Sequence, residues 1–464
     1  MSDPHSLAAI VLAAGHGRRM RSELPKVLHT VGGRPMVHYP IRAALAAGAS
    51  PVVVVVGVGR EQVEEAISEA LPAPAGVIRF VEQKAQRGTA DAVSTGLTSL
   101  EDSEADTVLI LCGDVPGLPV STLRALLDAR AAGADLAMLT FEPEDPAGYG
   151  RIVREGRQER RPLRIVEHAD ASTDERKIGE CNAGIYAVDR TLLTEGLTRI
   201  GDDNAQGELY LTDLVAMAEA AVGLVVAESE VRGINDRAGL ADANADYRRR
   251  RNLALMNSGV TLMDPATTYI DDLAEVEPDV TLHPGVILRG RSHVGAGSEV
   301  FAYSVLEDAV VGHGCSVGPF ARLRPGTVLG DRSKIGNFVE TKKTTLGEGA
   351  KANHLTYLGD CTVGAGANIG AGTITCNYDG ERKNPTHIGA GAFIGSDTQL
   401  VAPVSVGDGA YVGAGSTVIR DVPANALALS RVEQRNIEGW AGRRRTASQG
   451  GGRRGKRPVG KKGR

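Results

Sequence analysis

Branched aliphatic residues recur at every sixth position between residues 388 and 418. The positions are Ile388, Ile394, Leu400, Val406, Val412 and Val418. A helix repeats at 3.6 residues and a strand at two, so neither element alone produces this spacing. A parallel β-helix does, because each six-residue side supplies one inward aliphatic side chain and then turns at a small residue. The alternative, a Gly/Ala-rich linker, gives no reason for a branched aliphatic to stay in phase over six repeats.

The same rhythm begins loosely after Val260 and is interrupted twice before residue 388. It is clear at Val311, Val317, Leu323, Leu329 and Ile335. It loses phase between residues 346 and 363 and slips again between residues 375 and 388. The two interruptions contain residues 351–357 and 376–380. We predict loops there that leave the regular scaffold, and such loops often carry chemistry.

Before residue 236, apolar runs alternate with segments of helical periodicity. The predicted strands are Leu7–Leu12, Val52–Val56, Val77–Val81, Thr107–Leu111, Leu136–Thr140 and Ile185–Val188. The predicted helices include Met36–Ala47, Arg60–Ala70 and Ser121–Ala132. This alternation is typical of an α/β domain with a largely parallel sheet, in which ligands bind beyond the carboxyl ends of the strands.

Two features of this half indicate phosphate chemistry. The first strand runs into Ala13-Ala14-Gly15-His16-Gly17, a glycine loop that fits neither the dinucleotide nor the P-loop pattern. Arg19 and Lys26 downstream are either cations for a polyphosphate or solvated surface charges. Asp114 follows another strand, where a carboxylate is either a Mg²⁺ ligand or the N-cap of the next helix.

Composition divides the chain into four parts and restricts its function. Residues 1–236 are expected to form the α/β domain, 237–258 a helical linker, 259–440 the β-helix and 441–464 a disordered basic tail. The arginine run at 248–251 is interpreted as a solvated face or a partner-docking face. The 58 glycines and 4% aromatics suit a narrow β-helix interior. A net charge of −5 argues against specific nucleic-acid binding.

The cysteines and the hydropathy bear on location. Five scattered cysteines with no CxxC spacing indicate reduced thiols, so a cytoplasmic protein is expected. No apolar run approaches the length of a membrane span.

These residues together resemble a known family of bacterial bifunctional enzymes. The first half carries Leu12-Ala13-Ala14-Gly15, Leu24-Pro25-Lys26, Gly113-Asp114, Val166-Glu167-His168 and Gly233-Ile234-Asn235. The second half carries Ala321-Arg322-Leu323-Arg324-Pro325-Gly326, His354-Leu355-Thr356-Tyr357, Cys376-Asn377-Tyr378-Asp379-Gly380 and Gly395-Ser396-Asp397-Thr398. The first set is shared in part with other sugar nucleotidyltransferases, whereas the two sets together are specific. The resemblance covers everything except the basic tail.

The resemblance implies both a fold and a pair of activities. The fold is an α/β nucleotidyltransferase domain with a Rossmann-like mixed sheet, followed by a left-handed parallel β-helix of hexapeptide repeats that forms a homotrimer. The β-helix would transfer acetyl from acetyl-CoA to glucosamine-1-phosphate. The first domain would then transfer uridylyl from UTP to N-acetylglucosamine-1-phosphate with Mg²⁺, releasing pyrophosphate. The product, UDP-N-acetylglucosamine, would serve peptidoglycan and other envelope polymers.

The resemblance also assigns roles to residues. Asp114 and Asn235 would hold Mg²⁺, and His354 would be the catalytic base of acetyl transfer. The nucleotide and its sugar would meet Leu12, Ala13, Ala14, Gly15, Arg19, Lys26, Gln83, Gly88, Thr89, Gly150, Glu167, Asn182 and Asn235. Glucosamine phosphate would meet Arg324, Lys342, Tyr357 and Asn368. Acetyl-CoA would meet Ala371, Asn377, Tyr378, Ser396, Ala414 and Arg431.

Departures and rival interpretations remain open at this stage. Many relatives carry Lys at position 16 and Tyr at position 112, where this chain has His16 and Cys112. Glu340 is a weaker candidate for holding the His354 imidazole, and a lone histidine in a surface loop could also be merely structural. One rival is a sugar-nucleotide pyrophosphorylase whose β-helix only oligomerises or regulates it. The other is a β-helix scaffold with degenerate sites.

Overall fold

The first domain is a mixed sheet covered by helices on both faces. The computed structural model describes residues 6–15, 17–154 and 162–450. The strands of this domain are β1 (Leu7–Ala13), β2 (Thr30–Val31), β3 (Arg34–Pro35), β4 (Val52–Val56), β5 (Ile78–Glu82), β6 (Thr107–Cys112), β7 (Leu136–Phe141), β8 (Arg151–Arg154), β9 (Pro162–Val166), β10 (Cys181–Asp189) and β11 (Ala221–Val225). The helices are α1 (His38–Ala46), α2 (Arg60–Ala70), α3 (Thr89–Thr98), α4 (Val120–Ala131), α5 (Arg190–Leu197), α6 (Leu214–Met217) and α7 (Glu228–Val231).

The strand order is β11-β7-β10-β6-β1-β4-β5, with a β8-β9 ribbon beside β10. β1 runs parallel to β4 and β6, and β5 runs parallel to β4. β10 is antiparallel to both β6 and β7, so the sheet is mixed. The five valines of β4 are fully buried because both faces of the sheet are covered. The predicted α/β class is confirmed.

Helix α8 (Arg237–Asn257) joins the two halves. Asp236 caps it by accepting a hydrogen bond from the Gly239 N–H. The arginine run contacts both sides: Arg250 donates to the Gly117 carbonyl at 3.0 Å, and Arg251 donates to the Ala274 carbonyl at 2.6 Å. These two arginines therefore bind the chain's own domains, and neither earlier interpretation of the run describes them.

The second half is a left-handed parallel β-helix. Its strands are β12 (Thr261–Leu262), β13 (Tyr269–Ile270), β14 (Glu275–Val276), β15 (Thr281–Leu282), β16 (Ile287–Arg289), β17 (His293–Val294), β18 (Glu299–Val300), β19 (Val305–Glu307), β20 (Val310–Val311), β21 (Ser316–Val317), β22 (Arg322–Leu323), β23 (Val328–Leu329), β24 (Lys334–Asn337), β25 (Glu340–Leu346), β26 (Lys351–His354), β27 (Tyr357–Val363), β28 (Asn368–Ile369), β29 (Ile374–Cys376), β30 (Thr386–Ile388), β31 (Phe393–Ile394), β32 (Gln399–Val401), β33 (Val404–Val406), β34 (Tyr411–Val412), β35 (Thr417–Val418) and β36 (Leu427–Ala428).

The six-residue rhythm is the inward side of this coil. Leu282 pairs with Val300 and Val300 with Val317, so one coil takes 17 or 18 residues, which is three sides of about six. The aliphatic positions between 388 and 418 are all buried. The six-residue hydrophobic period therefore predicted the β-helix because it marks the residues that face the interior of the coil.

The two interruptions have different causes. The first is not a loop, because Lys351–His354 is a strand of the coil. Phase is lost there because Ala352, which is fully buried, stands where the pattern expects a branched aliphatic, and because the inward Val363 follows the inward Leu358 after five residues and not six. The second does leave the coil: residues 377–385 lie between the end of β29 and the start of β30.

The first part of the chain that follows the β-helix is not disordered, contrary to the prediction. Residues 440–450 form helix α9 (Trp440–Gly450), where the composition predicts disorder. The Arg444 guanidinium lies 5.1 Å from the Trp440 ring centre, and such an i, i+4 contact supports a short helix. Residues 451–464 lie outside the described residues. In the described part of the chain, no helix has the length and apolar character to cross a membrane.

Candidate active sites

The first cluster lies at the carboxyl edge of the mixed sheet. β1 and β6 are parallel, with Leu12 opposite Cys112, so the glycine loop after β1 and Asp114 after β6 share one edge. Asp114 does not cap the next helix, because α4 begins at Val120 and its N-cap is Pro119. The N-cap interpretation of Asp114 is therefore wrong.

Lys26, Asp114 and Asn235 converge at this edge. The Lys26 ammonium forms an ion pair with Asp114 Oδ2 and donates to Asn235 Oδ1 at 2.9 Å. Lys26 is 13% exposed, so it is not a solvated surface charge. The carboxylate and amide oxygens thus point at one shared position, which the sequence distance between 114 and 235 does not reveal.

The residues expected to receive the nucleotide follow β5, at the same carboxyl edge of the sheet. Gln83 is buried and donates from Nε2 to Asp91 Oδ2 at 2.8 Å. Thr89 Oγ1 accepts from the Leu211 N–H at 3.0 Å. Gly88 has a φ of 121°, and a Cβ there would lie 2.5 Å from the Leu209 carbonyl oxygen. Only glycine fits that position.

The glycine loop is tied to the same region by a residue that sequence reasoning missed. Gln86 donates from Nε2 to the Ala14 carbonyl. Ala13 and Ala14 are buried, whereas Gly15 and Arg19 are exposed at the edge. Gln86 lies between Gln83 and Gly88 in sequence. Its position between two predicted nucleotide-binding residues is the signal that could have identified it.

A second group surrounds Glu167. The Asn182 N–H donates to the Gly150 carbonyl at 2.9 Å. A Cβ on Gly150 would lie 3.4 Å from the Glu167 carboxylate oxygens. Burial raises the pKa of Glu167, while a hydrogen bond from Thr212 partly opposes that shift. Thr212 was not predicted, and no motif in the sequence points to it.

The β-helix carries a cationic cluster on two neighbouring coils and the loop of residues 377–385. The Arg324 N–H donates to the Thr341 carbonyl, which places Arg324 beside Lys342 on the next coil. Repulsion by Lys383 and then by Arg324 lowers the pKa of Lys342. Lys383 was not predicted as a site residue, although it lies within the second interruption of the rhythm. Three neighbouring cations, of which Arg324 also pairs with Glu340, suit a phosphate.

Tyr357 and Asn377 converge over Gly359. A Cβ on Gly359 would lie 2.4 Å from the Tyr357 hydroxyl and 2.7 Å from Asn377 Nδ2. Asn377 is held by donating to Asp360 Oδ2 at 2.6 Å. Tyr357 is expected to bind the sugar phosphate and Asn377 to bind acetyl-CoA. The two expected binding sets therefore meet at this point. Tyr378 is exposed on the same loop.

His354 lies at the end of β26 and is exposed. Its Nδ1 is 2.8 Å from Asn337 Oδ1, and the two residues are opposite each other on neighbouring strands. Glu340, the earlier candidate for this contact, accepts instead from Arg324 at 2.8 Å. Asn368 lies on β28, the strand paired with β26 on its other side.

The remaining acetyl-CoA candidates follow one another along successive coils. The Asp397 N–H, next to Ser396, donates to the Ala371 carbonyl at 2.7 Å. The Gly415 N–H donates to the Ser396 carbonyl at 2.8 Å. Arg431 donates to the Ala414 carbonyl at 2.8 Å. The four candidates Ala371, Ser396, Ala414 and Arg431 thus form one column.

Comparison with known proteins agrees with this two-part arrangement. Residues 9–178 match the MobA-like NTP transferase domain, and residues 308–343 and 385–420 match the bacterial transferase hexapeptide. "Bifunctional protein GlmU" of Anaeromyxobacter sp. (strain Fw109-5) is 51% identical over 97% of this chain and 95% of its own length. The proteins of that name from Sorangium cellulosum and Pelobacter propionicus are 50% and 49% identical, over 95% and 94% of this chain and 97% and 98% of theirs.

The chain belongs to the GlmU family of bifunctional proteins. It is a transferase with uridylyltransferase and acetyltransferase activities in UDP-N-acetylglucosamine synthesis, and the expected function is confirmed. The relatives match across both halves, which decides against a pyrophosphorylase with a passive β-helix and against a mere scaffold. Asn337 precedes His354 by one coil, a spacing that would have identified it.

Proposed function

We propose that the cluster at the sheet edge is the uridylyl-transfer site, with Asp114 and Asn235 as the ligands of Mg²⁺. The donor set fits this ion, because Mg²⁺ takes oxygen ligands and uses one or two carboxylates together with substrate phosphates. The convergence of the two side-chain oxygens on the Lys26 ammonium supports a cation position between them. Within the described residues there is no larger group of His, Cys, Asp and Glu suited to a metal.

In this reaction a phosphate oxygen of N-acetylglucosamine-1-phosphate attacks the α-phosphorus of UTP. The new P–O bond forms as the bond to the β-phosphate oxygen breaks, and pyrophosphate leaves. The bound ion would neutralise phosphate charge. The chain's own groups orient the partners: Gln83, Gly88 and Thr89 receive the nucleotide, and Glu167 and Asn182 receive the amino sugar. Positioning and charge neutralisation suffice for such a transfer.

We further propose that the β-helix cluster transfers acetyl with acetyl-CoA as donor. Arg324, Lys342 and Lys383 hold the phosphate of glucosamine-1-phosphate. The sugar nitrogen attacks the thioester carbonyl carbon, so that the C–N bond forms and the C–S bond breaks. His354 accepts the amine proton at Nε2, because Asn337 Oδ1 accepts from Nδ1–H and leaves Nε2 free. The column that contains Ser396 and Arg431 positions the cofactor.

The domain limits and assembly are part of the proposal. Residues 1–236 carry uridylyl transfer and residues 259–440 carry acetyl transfer, joined by the linker at 237–258. A homotrimer is supported by a corner column on the β-helix, in which Tyr303, Phe320 and Phe338 stack at 5.4 Å intervals. These rings are 58%, 47% and 54% exposed in the single chain, and closed association would cover them. Five unpaired cysteines support a cytoplasmic location.

The observation that carries the proposal is that the two clusters lie in separate halves of the chain. Asp114→Ala should abolish uridylyl transfer and leave acetyl transfer near wild type. His354→Ala should lower the kcat of acetyl transfer by about 100-fold or more and leave uridylyl transfer intact. Each variant is assayed for both activities, by pyrophosphate release and by free-thiol release. Equal loss of both activities in either variant would contradict the assignment.

A further inference from the structure

The Lys26 ammonium lies between the two oxygens assigned to the metal. It pairs with Asp114 and donates to Asn235 Oδ1 at 2.9 Å. Lys26 and Asp114 are only 13% and 23% exposed, so water competes little for either group. Within the described residues, the Lys26 ammonium is the cation that pairs with Asp114.

Local contacts hold the backbone around Lys26 in place. Lys26 begins a short 3-10 helix after Pro25, and its carbonyl accepts from the His29 N–H at 3.2 Å. Gly17, at a φ of 57°, packs against the base of the side chain, where a Cβ would lie 2.5 Å from Lys26 Cβ. The four-carbon stem can therefore swing while the main chain stays in place.

A divalent ion bound by Asp114 Oδ2 and Asn235 Oδ1 would compete with this ammonium. Mg²⁺ needs its oxygen ligands at about 2.0–2.1 Å, and the same oxygens contact the ammonium. Two positive charges held against the same two oxygens also repel each other. A divalent ion that uses these two oxygens therefore competes with Lys26 for them.

We propose that Lys26 is an internal cation that closes the metal site until a polyphosphate arrives. This inference rests on the proposed assignment of Asp114 and Asn235 as metal ligands. A free divalent ion would have to displace the ammonium into a place without a new anionic partner. A metal that arrives with a nucleotide triphosphate brings that partner, since the displaced ammonium pairs with phosphate. Metal and nucleotide binding are therefore positively coupled through one side chain.

The direct test measures Mn²⁺ binding to the nucleotide-free, full-length protein. Binding is detected as the loss of the free-ion signal in electron paramagnetic resonance. Lys26→Met should bind Mn²⁺ about tenfold more tightly than wild type, because the competing cation is gone. Arg18→Met is the matched control: it removes one exposed cation of the segment between β1 and β2 and should change the Kd less than about twofold. Unchanged or weaker binding by Lys26→Met would overturn the proposal.

Asp114→Asn separates this inference from the metal assignment beneath it. If Asp114→Asn binds Mn²⁺ like wild type, the proposed metal site is wrong and the role of Lys26 fails with it. If Asp114→Asn loses Mn²⁺ binding while Lys26→Met binds Mn²⁺ with the wild-type Kd, the metal site stands and only the proposed role of Lys26 is wrong.

A second measurement uses the wild-type protein and does not depend on how Lys26→Met folds. Acetic anhydride labelling, read by peptide mass spectrometry, reports how free the Lys26 amine is. Saturating Mn²⁺ should raise its reactivity severalfold relative to Lys334, an exposed lysine on β24. Unchanged or reduced Lys26 reactivity would show that the ammonium stays with Asp114 and would contradict the proposal.

Discussion

Nδ1 of His354 lies 2.8 Å from Oδ1 of Asn337, one coil earlier in the β-helix. An amide oxygen can only accept a hydrogen bond, so this contact places the proton on Nδ1 and directs the lone pair of Nε2 away from Asn337. The parallel register sets the pair: β24 and β26 are neighbours, with Asn337 opposite His354. The proposed base for acetyl transfer is thus oriented by a neutral side chain on the neighbouring strand.

Asn337→Ala should lower the kcat of acetyl transfer about fivefold while leaving the KM of both substrates within about twofold. The reason is that one positioning hydrogen bond contributes about 1 kcal/mol and touches no substrate. Steady-state kinetics with free-thiol detection measures both constants.

Glu340→Gln is the matched comparison, since Glu340 was the other candidate for holding the imidazole. Because Glu340 pairs with Arg324 at 2.8 Å, its loss should raise the KM for glucosamine-1-phosphate and spare kcat. The reverse pattern, with kcat lost in Glu340→Gln and retained in Asn337→Ala, would return the positioning role to Glu340.

Lys383→Ala should raise the KM for glucosamine-1-phosphate about tenfold, as expected for one lost charge-assisted contact to phosphate. The pKa of Lys342 is lowered chiefly by Lys383, which places the two ammonium groups close together. A sugar phosphate relieves that repulsion, so added salt should weaken binding less in the variant.

Arg382→Ala serves as the control, because Arg382 is the adjacent exposed cation of the same loop. It should leave the KM within about twofold. A similar rise in both variants would mean that the loop acts through its general charge and that Lys383 has no specific contact.

Much of the fold could be predicted because the inward positions of the coil repeat. Ile394 and Val412 face the same interior, and their spacing is visible in the sequence alone. The first interruption was misread because Ala352 keeps the coil intact without a branched aliphatic. Polar or small inward residues hide a strand from a hydrophobic pattern.

The candidate sites were less predictable, since their members meet through topology. Asp114 and Asn235 are joined only by the fold, and Thr212 reaches Glu167 from a different element. The family resemblance supplied most of these residues, whereas Lys383, Gln86 and Asn337 emerged from the contacts. A single sequence records spacing along the chain, and a site depends on distances across it.

A fragment of residues 1–258 should fold and retain uridylyl transfer, because the mixed sheet has its own core and the Lys26 cluster lies within it. It should show no acetyl transfer, since His354 is absent. The fragment loses stability at the end of α8, because Asn252 donates to the Pro265 and Thr268 carbonyls of the removed half. A folded fragment without uridylyl transfer, checked by circular dichroism and pyrophosphate release, would contradict the domain assignment.

Glu167→Gln should stabilise the protein at neutral pH and weaken its uridylyl-transfer site. Burial raises the pKa of Glu167 above its ordinary value of 4.5, so the folded protein binds that proton more tightly than the unfolded chain does. Stability therefore falls as pH rises between the ordinary and the raised value, and the cost of the buried charge is fully present above both. Calorimetry should show a higher Tm for the variant at pH 7, and the difference should disappear below pH 4.5.

At pH 7 the KM for N-acetylglucosamine-1-phosphate should rise about tenfold in Glu167→Gln, because a charged acceptor for the sugar is lost. Glu195→Gln, an exposed carboxylate on α5, should change neither quantity. A lower Tm for Glu167→Gln at pH 7 would show that the ionised carboxylate stabilises the fold and would contradict this account of its burial.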